Sequence, residues 1–176
     1  RTVAVSPDGR WIAAGNWKSG AVWVWDRSSP SQPQRFPVGG AAQLRFSPDG
    51  RWLAVGTEKS AALWDTRTWQ PALQIDRPPG AARPAAVAFS HDGLAWAMAL
   101  TDVRVRMLEI GGRTMAEFEA PQKELLVGLS FSPDGSRLAC ATASRTVQVW
   151  DLAALGRSLA QLGLATGFKA LAVEAN

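Results

Sequence analysis

Short stretches in which apolar and polar residues alternate recur along the whole chain. In Ala42-Gln43-Leu44-Arg45-Phe46 every second residue is apolar, the period-two mark of a strand with one buried face. Arg51-Trp52-Leu53-Ala54-Val55, Ser60-Ala61-Ala62-Leu63-Trp64 and Ala72-Leu73-Gln74-Ile75 follow at short intervals as three more strands. The same reading places strands near 2–5, 10–14, 21–25 and 34–38, near 85–89, 94–99, 104–108 and 114–118, and near 126–131, 136–141 and 146–150. Short strands at regular spacing, separated by turn signals, predict an all-β fold.

The turn signals are themselves periodic. Ser6-Pro7-Asp8-Gly9, Ser47-Pro48-Asp49-Gly50, Ser90-His91-Asp92-Gly93 and Ser132-Pro133-Asp134-Gly135 begin 41, 43 and 42 residues apart. Proline presets the backbone at the second position, Ser and Asp bond to the local backbone, and Gly takes a conformation other residues resist. A second mark keeps the same beat: Trp25-Asp26, Trp64-Asp65, Leu108-Glu109 and Trp150-Asp151. Two marks locked at one period define a repeat architecture.

Together these residues resemble the WD40 family in its bacterial form, in which Phe-Ser-Pro-Asp-Gly and Val-x-Val-Trp-Asp recur in order. The likeness covers about residues 2 to 152. It implies a β-propeller segment of about four four-stranded blades, with Trp25, Asp26, Trp64, Asp65, Trp150 and Asp151 as its structural repeat residues. Trp25, Trp64 and Trp150 are expected in the core, as are Trp11 and Trp52. There are departures. No unit has the Gly-His that often precedes the first strand. Only Asp102 keeps the Asp that buttresses the Trp, the matching residues being Ser19, Glu58 and Ser144. The polar network that staples such blades is therefore expected to be mostly missing, with apolar packing in its place.

The blades divide as 1–38, 39–78, 79–120 and 121–151, and 152–176 forms a C-terminal helical tail. Leu152, Leu155, Leu159 and Leu162 fall on one helical stripe, with Gly163 as a stop. The outer strand of blade 4 is either missing or supplied by that tail, around Lys169 to Ala175. Four blades do not close a propeller ring. Each bare end face is expected to carry several hundred Å² of apolar surface, about 10 kcal/mol of lost burial. The cover is either remaining blades upstream in a longer protein, of which this is the C-terminal part, or a second copy of the chain.

Composition narrows the function. The 15 Arg and 4 Lys are scattered, with no run suited to nucleic acid, and the net charge is a mild +4. No apolar run reaches membrane-span length, so neither nucleic acid nor membrane is an expected partner. No signal peptide is present, although the chain does not begin with Met, and a cytoplasmic location is expected. Cys140 alone forms no disulfide framework. His91, the single histidine, sits in a turn, so no Ser-His-Asp or Cys-His arrangement forms, and no metal or phosphate motif is present. No cofactor and no catalytic residue is expected.

The resemblance implies a non-catalytic protein-interaction scaffold that binds partners on the propeller's top face. There the loops 16–20, 57–60, 101–104 and 142–145 present Trp17, Lys18, Glu58, Lys59, Asp102, Arg104 and Arg145. An exposed Trp17 would be an interface anchor; the alternative is a loop residue folded onto its own blade. A second reading makes the chain the regulatory or sensory end of a bacterial signalling enzyme, such as a serine/threonine kinase or a nucleotide-binding switch protein.

Overall fold

Each of the four units folds as one antiparallel sheet in the computed structural model, which describes residues 2–16, 20–120 and 124–162. The first sheet is β1 (Thr2–Val5), β2 (Trp11–Asn16), β3 (Ala21–Asp26) and β4 (Gln34–Pro37). The second is β5 (Gln43–Phe46), β6 (Trp52–Gly56), β7 (Ser60–Asp65) and β8 (Gln70–Asp76). The third is β9 (Val87–Phe89), β10 (Ala95–Ala99), β11 (Arg104–Glu109) and β12 (Thr114–Glu119). The fourth has three strands among the described residues: β13 (Leu126–Phe131), β14 (Arg137–Thr142) and β15 (Val147–Asp151). Helix α1 (Leu152–Gln161) follows at once. The fold is all-β with one short helix, as the alternation predicted.

Within each sheet the strands pair in chain order, so every blade is a simple meander. The four predicted turns are near-copies of one another. In each, the glycine N–H donates to the serine carbonyl, and the serine hydroxyl accepts from the N–H five residues on, at Trp11, Trp52, Ala95 and Arg137. Gly9, Gly50, Gly93 and Gly135 all sit near φ +70°, which favours glycine. His91 replaces Pro in the third turn without changing this pattern, because the second turn position asks only for a φ most residues adopt.

The core consists of three seams between neighbouring blades. Val22, Val24 and Phe36 of blade 1 meet Leu44, Leu53 and Val55 of blade 2. Leu63, Leu73 and Ile75 of blade 2 meet Val87, Trp96 and Met98 of blade 3. Val105, Met107 and Phe118 of blade 3 meet Leu129, Leu138 and Cys140 of blade 4. The rule is constant: alternate residues of the third strand face the next blade, and those between face the previous one.

Four of the tryptophans expected in the core, Trp11, Trp52, Trp64 and Trp150, pack against the seams without being fully buried. Trp64 and Trp150 face the preceding blade but lie at the foot of their seams, half-buried. Trp25 faces where a preceding blade would be, and is half-buried too. Trp11 and Trp52 are also half-buried, with the guanidinium of Arg10 4.6 Å and that of Arg51 4.8 Å from their ring centres. Among the described residues the buried tryptophans are Trp96, in β10, and Trp69. Trp69 lies in the turn before β8 at φ +54°, edge-on to Trp11 at 4.9 Å and stacked on Phe36 at 5.6 Å. It clamps blade 2 to blade 1.

Helix α1 packs through Leu152, Leu155 and Leu159 against the seam of blades 3 and 4. The stripe is shorter than predicted, because Leu162 is the C-cap and stands 74% exposed. The predicted stop at Gly163 and the alternative strand at Lys169 to Ala175 lie outside the described residues. Asp151 closes β15 and also caps α1, accepting from the Ala154 N–H at 2.7 Å.

Two glycines set how closely blades approach. A Cβ on Gly56, at the end of β6, would lie 2.0 Å from the Ala85 carbonyl oxygen, and one on Gly15 would lie 3.0 Å from that of Ala42. Both sit where the next blade's first strand crosses beside the second strand of its predecessor. Among the described residues the two end faces of the arc carry exposed apolar side chains. Val3, Val5 and Ile12 are exposed at one end, and Val147 and Val149 at the other.

Candidate interaction face

The Ser-x-Asp-Gly turns all lie on one face of the arc, the lower. The blade connectors and the loops between second and third strands gather on the opposite, upper face. Here a cleft of about 540 Å³ opens where the innermost strands begin. Every blade contributes: Thr2 and Gly15 from the first, Gln43 and Glu58 from the second, Arg83 and Pro84 from the connector to the third, and Leu125 to Val127 from the fourth. Gln43 reaches across from blade 2 and donates to the Val127 carbonyl of blade 4 at 3.4 Å.

The upper face is held by a residue the sequence reading did not single out. Arg77 follows β8, and its side chain is 1% exposed. Its guanidinium donates to the carbonyls of Thr57 (3.0 Å), Glu58 (3.2 Å), Arg83 (2.7 Å) and Leu100 (3.2 Å). It also lies 3.8 Å from the Asp102 carboxylate. Burial pushes the Arg77 pKa below its usual value, and the charges of Asp102 and Glu58 oppose that shift. One side chain thus ties the loops of blades 2 and 3 to the connector between them. An Arg in a connector beside a Pro-Pro-Gly turn resembles any surface cation in sequence, so only its partners reveal it.

Blade 4 ties its own connector to its own upper loop with opposite polarity. Glu124 accepts from the hydroxyls of Ser144 and Thr146. Those hydroxyl bonds, Ser144's first, hold its carboxyl below the usual range. The expectation that polar staples are mostly missing is therefore corrected at the seam of blades 2 and 3, where the staple uses another residue. Asp102 buttresses no Trp. It accepts from the Ala82 N–H at 3.0 Å and pairs with Arg77, and the matching third-strand position is Leu108.

The other residues expected on this face divide in two. Lys59 and Arg145 are exposed, Arg145 in a turn at φ +68°, and Glu58 is exposed beside the cleft. Arg104 is exposed and lies 3.9 Å from Glu119 on the neighbouring strand. Trp17 and Lys18 lie outside the described residues. Arg83, exposed on the rim of the cleft, was missed by the sequence reading. Its signal is weak, because Arg83 is one of many scattered arginines.

A second hollow, of about 710 Å³, lies on the lower face between blades 1 and 2. Its charged groups are already engaged. Arg10 pairs with Asp26 at 3.0 Å and Arg67 with Asp65 at 2.7 Å, while Asp8 and Asp49 accept from their turn serines. The Arg67 guanidinium and N–H draw the Asp65 carboxyl down to about 2. On the upper face, by contrast, Lys59, Arg83 and Arg145 form no ion pair among the described residues. Among those residues there is also no group of three or more metal-ligating side chains, and no helix is long and apolar enough to cross a membrane.

Comparisons with known proteins agree with this architecture. No curated protein matches the chain. The structure of hydrazine synthase from Kuenenia stuttgartiensis is similar in fold, with a TM-score of 0.73 and 19% sequence identity over 87% of this chain. The chain spans 46% of that protein's length. The family model "WD domain, G-beta repeat" matches residues 1–26, 37–65 and 112–151. The unmatched stretch includes most of the third unit, whose Pro and Trp-Asp are replaced by His91 and Leu108-Glu109. With more than half of its residues matched and four meander sheets in an arc, the chain belongs to the WD40 repeat family.

Proposed function

We propose that this chain is a non-catalytic interaction platform that holds a protein partner over the upper cleft. WD40 repeats generally mediate protein–protein interaction. The observation that carries the placement is an imbalance of engagement. The upper acids Asp102 and Glu124 are engaged, which leaves Glu58 as the exposed acid of the cleft against three exposed cations, Lys59, Arg83 and Arg145, that form no ion pair among the described residues. Long-range attraction then selects an acidic partner, and the cleft with Leu125 and Pro84 receives its apolar side chains. Trp17 and Lys18 belong to the same set of loops in sequence. The exposed apolar side chains of the end faces support a further element of the reading: more blades, upstream or in a second copy, complete the arc.

The test uses a fluorescent ten-residue peptide of alternating Glu and Leu, with a Gln-and-Leu peptide as control. The acidic peptide should bind more tightly, and less so at high salt. Lys59→Glu, Arg83→Glu and Arg145→Glu should each weaken it several-fold, and Arg137→Glu on the lower face should not. Equal binding of both peptides, or equal losses on both faces, would defeat the placement.

A further inference from the structure

Among the described residues the buried polar side-chain atoms left without a hydrogen-bond partner belong to Trp69, Trp96 and Gln148. Trp69 is the one of these that lines a hollow described above, the space of about 710 Å³ on the lower face between blades 1 and 2. It is 6% exposed, and its Nε1–H finds no acceptor. Buried indole N–H groups ordinarily have one. The Trp11 ring beside it offers a π face, a second-order substitute. The donor is already stripped of water, so a ligand oxygen that reaches it gains a bond without first desolvating the nitrogen.

The rest of the hollow says what that oxygen belongs to. Arg51 stands where Arg10 stands in blade 1, one residue before the tryptophan that opens the second strand. Arg10 pairs with Asp26, but the matching Asp65 is held at both carboxylate oxygens by Arg67. Arg51 is left with the face of Trp52, 4.8 Å away, and forms no ion pair among the described residues. Asp8 and Asp49 each use one carboxylate oxygen on their own turns, which leaves the other to accept. A peptide group suits this mixture. Its carbonyl oxygen accepts from Trp69, its N–H donates to a rim aspartate, and an acidic side chain beside it meets Arg51. A bare anion would meet the two aspartates with nothing to donate.

We propose that the lower hollow is a second binding site, for a short peptide segment carrying an acidic side chain, with Trp69 and Arg51 as its binding residues. Its volume lies within the range of about 300–1,000 Å³ usual for sites of small ligands. Gln34, Arg10 and Arg67 wall it with long, exposed side chains, which can yield to admit the segment. The site lies on the face opposite the upper cleft and does not rest on the partner-binding reading.

The test is NMR of the whole chain, reading the Trp69 indole N–H, identified by its ring contacts with Trp11 and Phe36. The probes are the acetylated and amidated peptide Gly-Glu-Gly, its Gly-Gln-Gly counterpart, and acetate and inorganic phosphate alone. The Glu peptide should shift that proton downfield to saturation while the Trp96 indole stays in place. It should also bind several-fold more tightly than the Gln peptide. Arg51→Gln should erase that preference, and Arg83→Glu in the upper cleft should leave it intact. An unmoved Trp69 indole, equal shifts at Trp69 and Trp96, or a preference that survives Arg51→Gln would overturn the proposal. So would the same shift with acetate or phosphate alone, which would mark a simple anion site.

Discussion

Blades 3 and 4 invert the relation between motif and burial. Blade 3 has lost Pro from its turn and Trp-Asp from its third strand, yet all of β10 is buried. Blade 4 keeps both motifs, yet Val147 and Val149 of β15 are exposed. The motifs set where a strand turns and where it ends. Burial depends on having a blade on each side, which no local sequence encodes. Leu108 shows this directly, because it replaces the motif Trp and is more buried than any of the three tryptophans that keep that position.

The largest expected effect tests that inversion. Trp96→Ala, in the blade that lacks the motifs, should destabilise by about 3–5 kcal/mol in denaturant unfolding. Val149→Ala, in the blade that keeps them, should change stability by less than about 0.5 kcal/mol. A loss at Val149 approaching that at Trp96 would mean that the blade 4 face is covered in solution.

Next in size is the contrast between a tie that joins two blades and one that lies within blade 4. Arg77→Met leaves the carbonyls of Arg83 and Leu100 without the guanidinium donor, Thr57 with the Ala85 N–H alone, and Asp102 without its cation, a loss of about 3 kcal/mol. Glu124→Gln keeps an acceptor for Ser144 and Thr146, so its effect should be clearly smaller. Equal losses would show that Arg77 is one staple among several rather than the main tie between blades 2 and 3.

The smallest effect is with pH. Asp134 is drawn down to about 2 by the hydroxyls of Ser132 and Ser136, as Asp65 is by Arg67. A carboxyl lowered on folding stabilises the fold above its usual titration range and loses that contribution as pH falls toward its folded value. The turns at Asp65 and Asp134 should therefore keep their amide protection at pH 5 and lose it progressively from about pH 4 to about pH 2. Flat protection of the Ser136 amide across that window would remove Asp134 from the turn's stability.

Much of the fold was legible because its signals are local. Alternation located the strands, and the Ser-x-Asp-Gly spacing fixed the period. What escaped depends on contacts between units. Trp69 reads as a loop residue, and its clamp on Trp11 and Phe36 exists only once blade 1 lies beside it. Arg77 reads as a surface cation until four carbonyls converge on it. The same limit governs the interaction face. Lys59 and Arg145 were visible as loop charges, but that Asp102 is engaged and Arg83 is not follows from the seam, not from composition.

The bare glycine at the end of β6 has a mechanical meaning. Any side chain at Gly56 would act as a wedge near the axis, where blades 2 and 3 nearly touch, with a Cβ roughly 1 Å or more short of normal contact with Ala85. Blades 3 and 4 lie beyond that point and would swing as one body, so a sub-residue intrusion at the hub becomes a larger displacement at the rim. An open arc can absorb such a swing. A closed ring cannot, since its last blade must still meet its first. The tolerance of position 56 to alanine is therefore a gauge of whether the arc is free or locked into a larger circle.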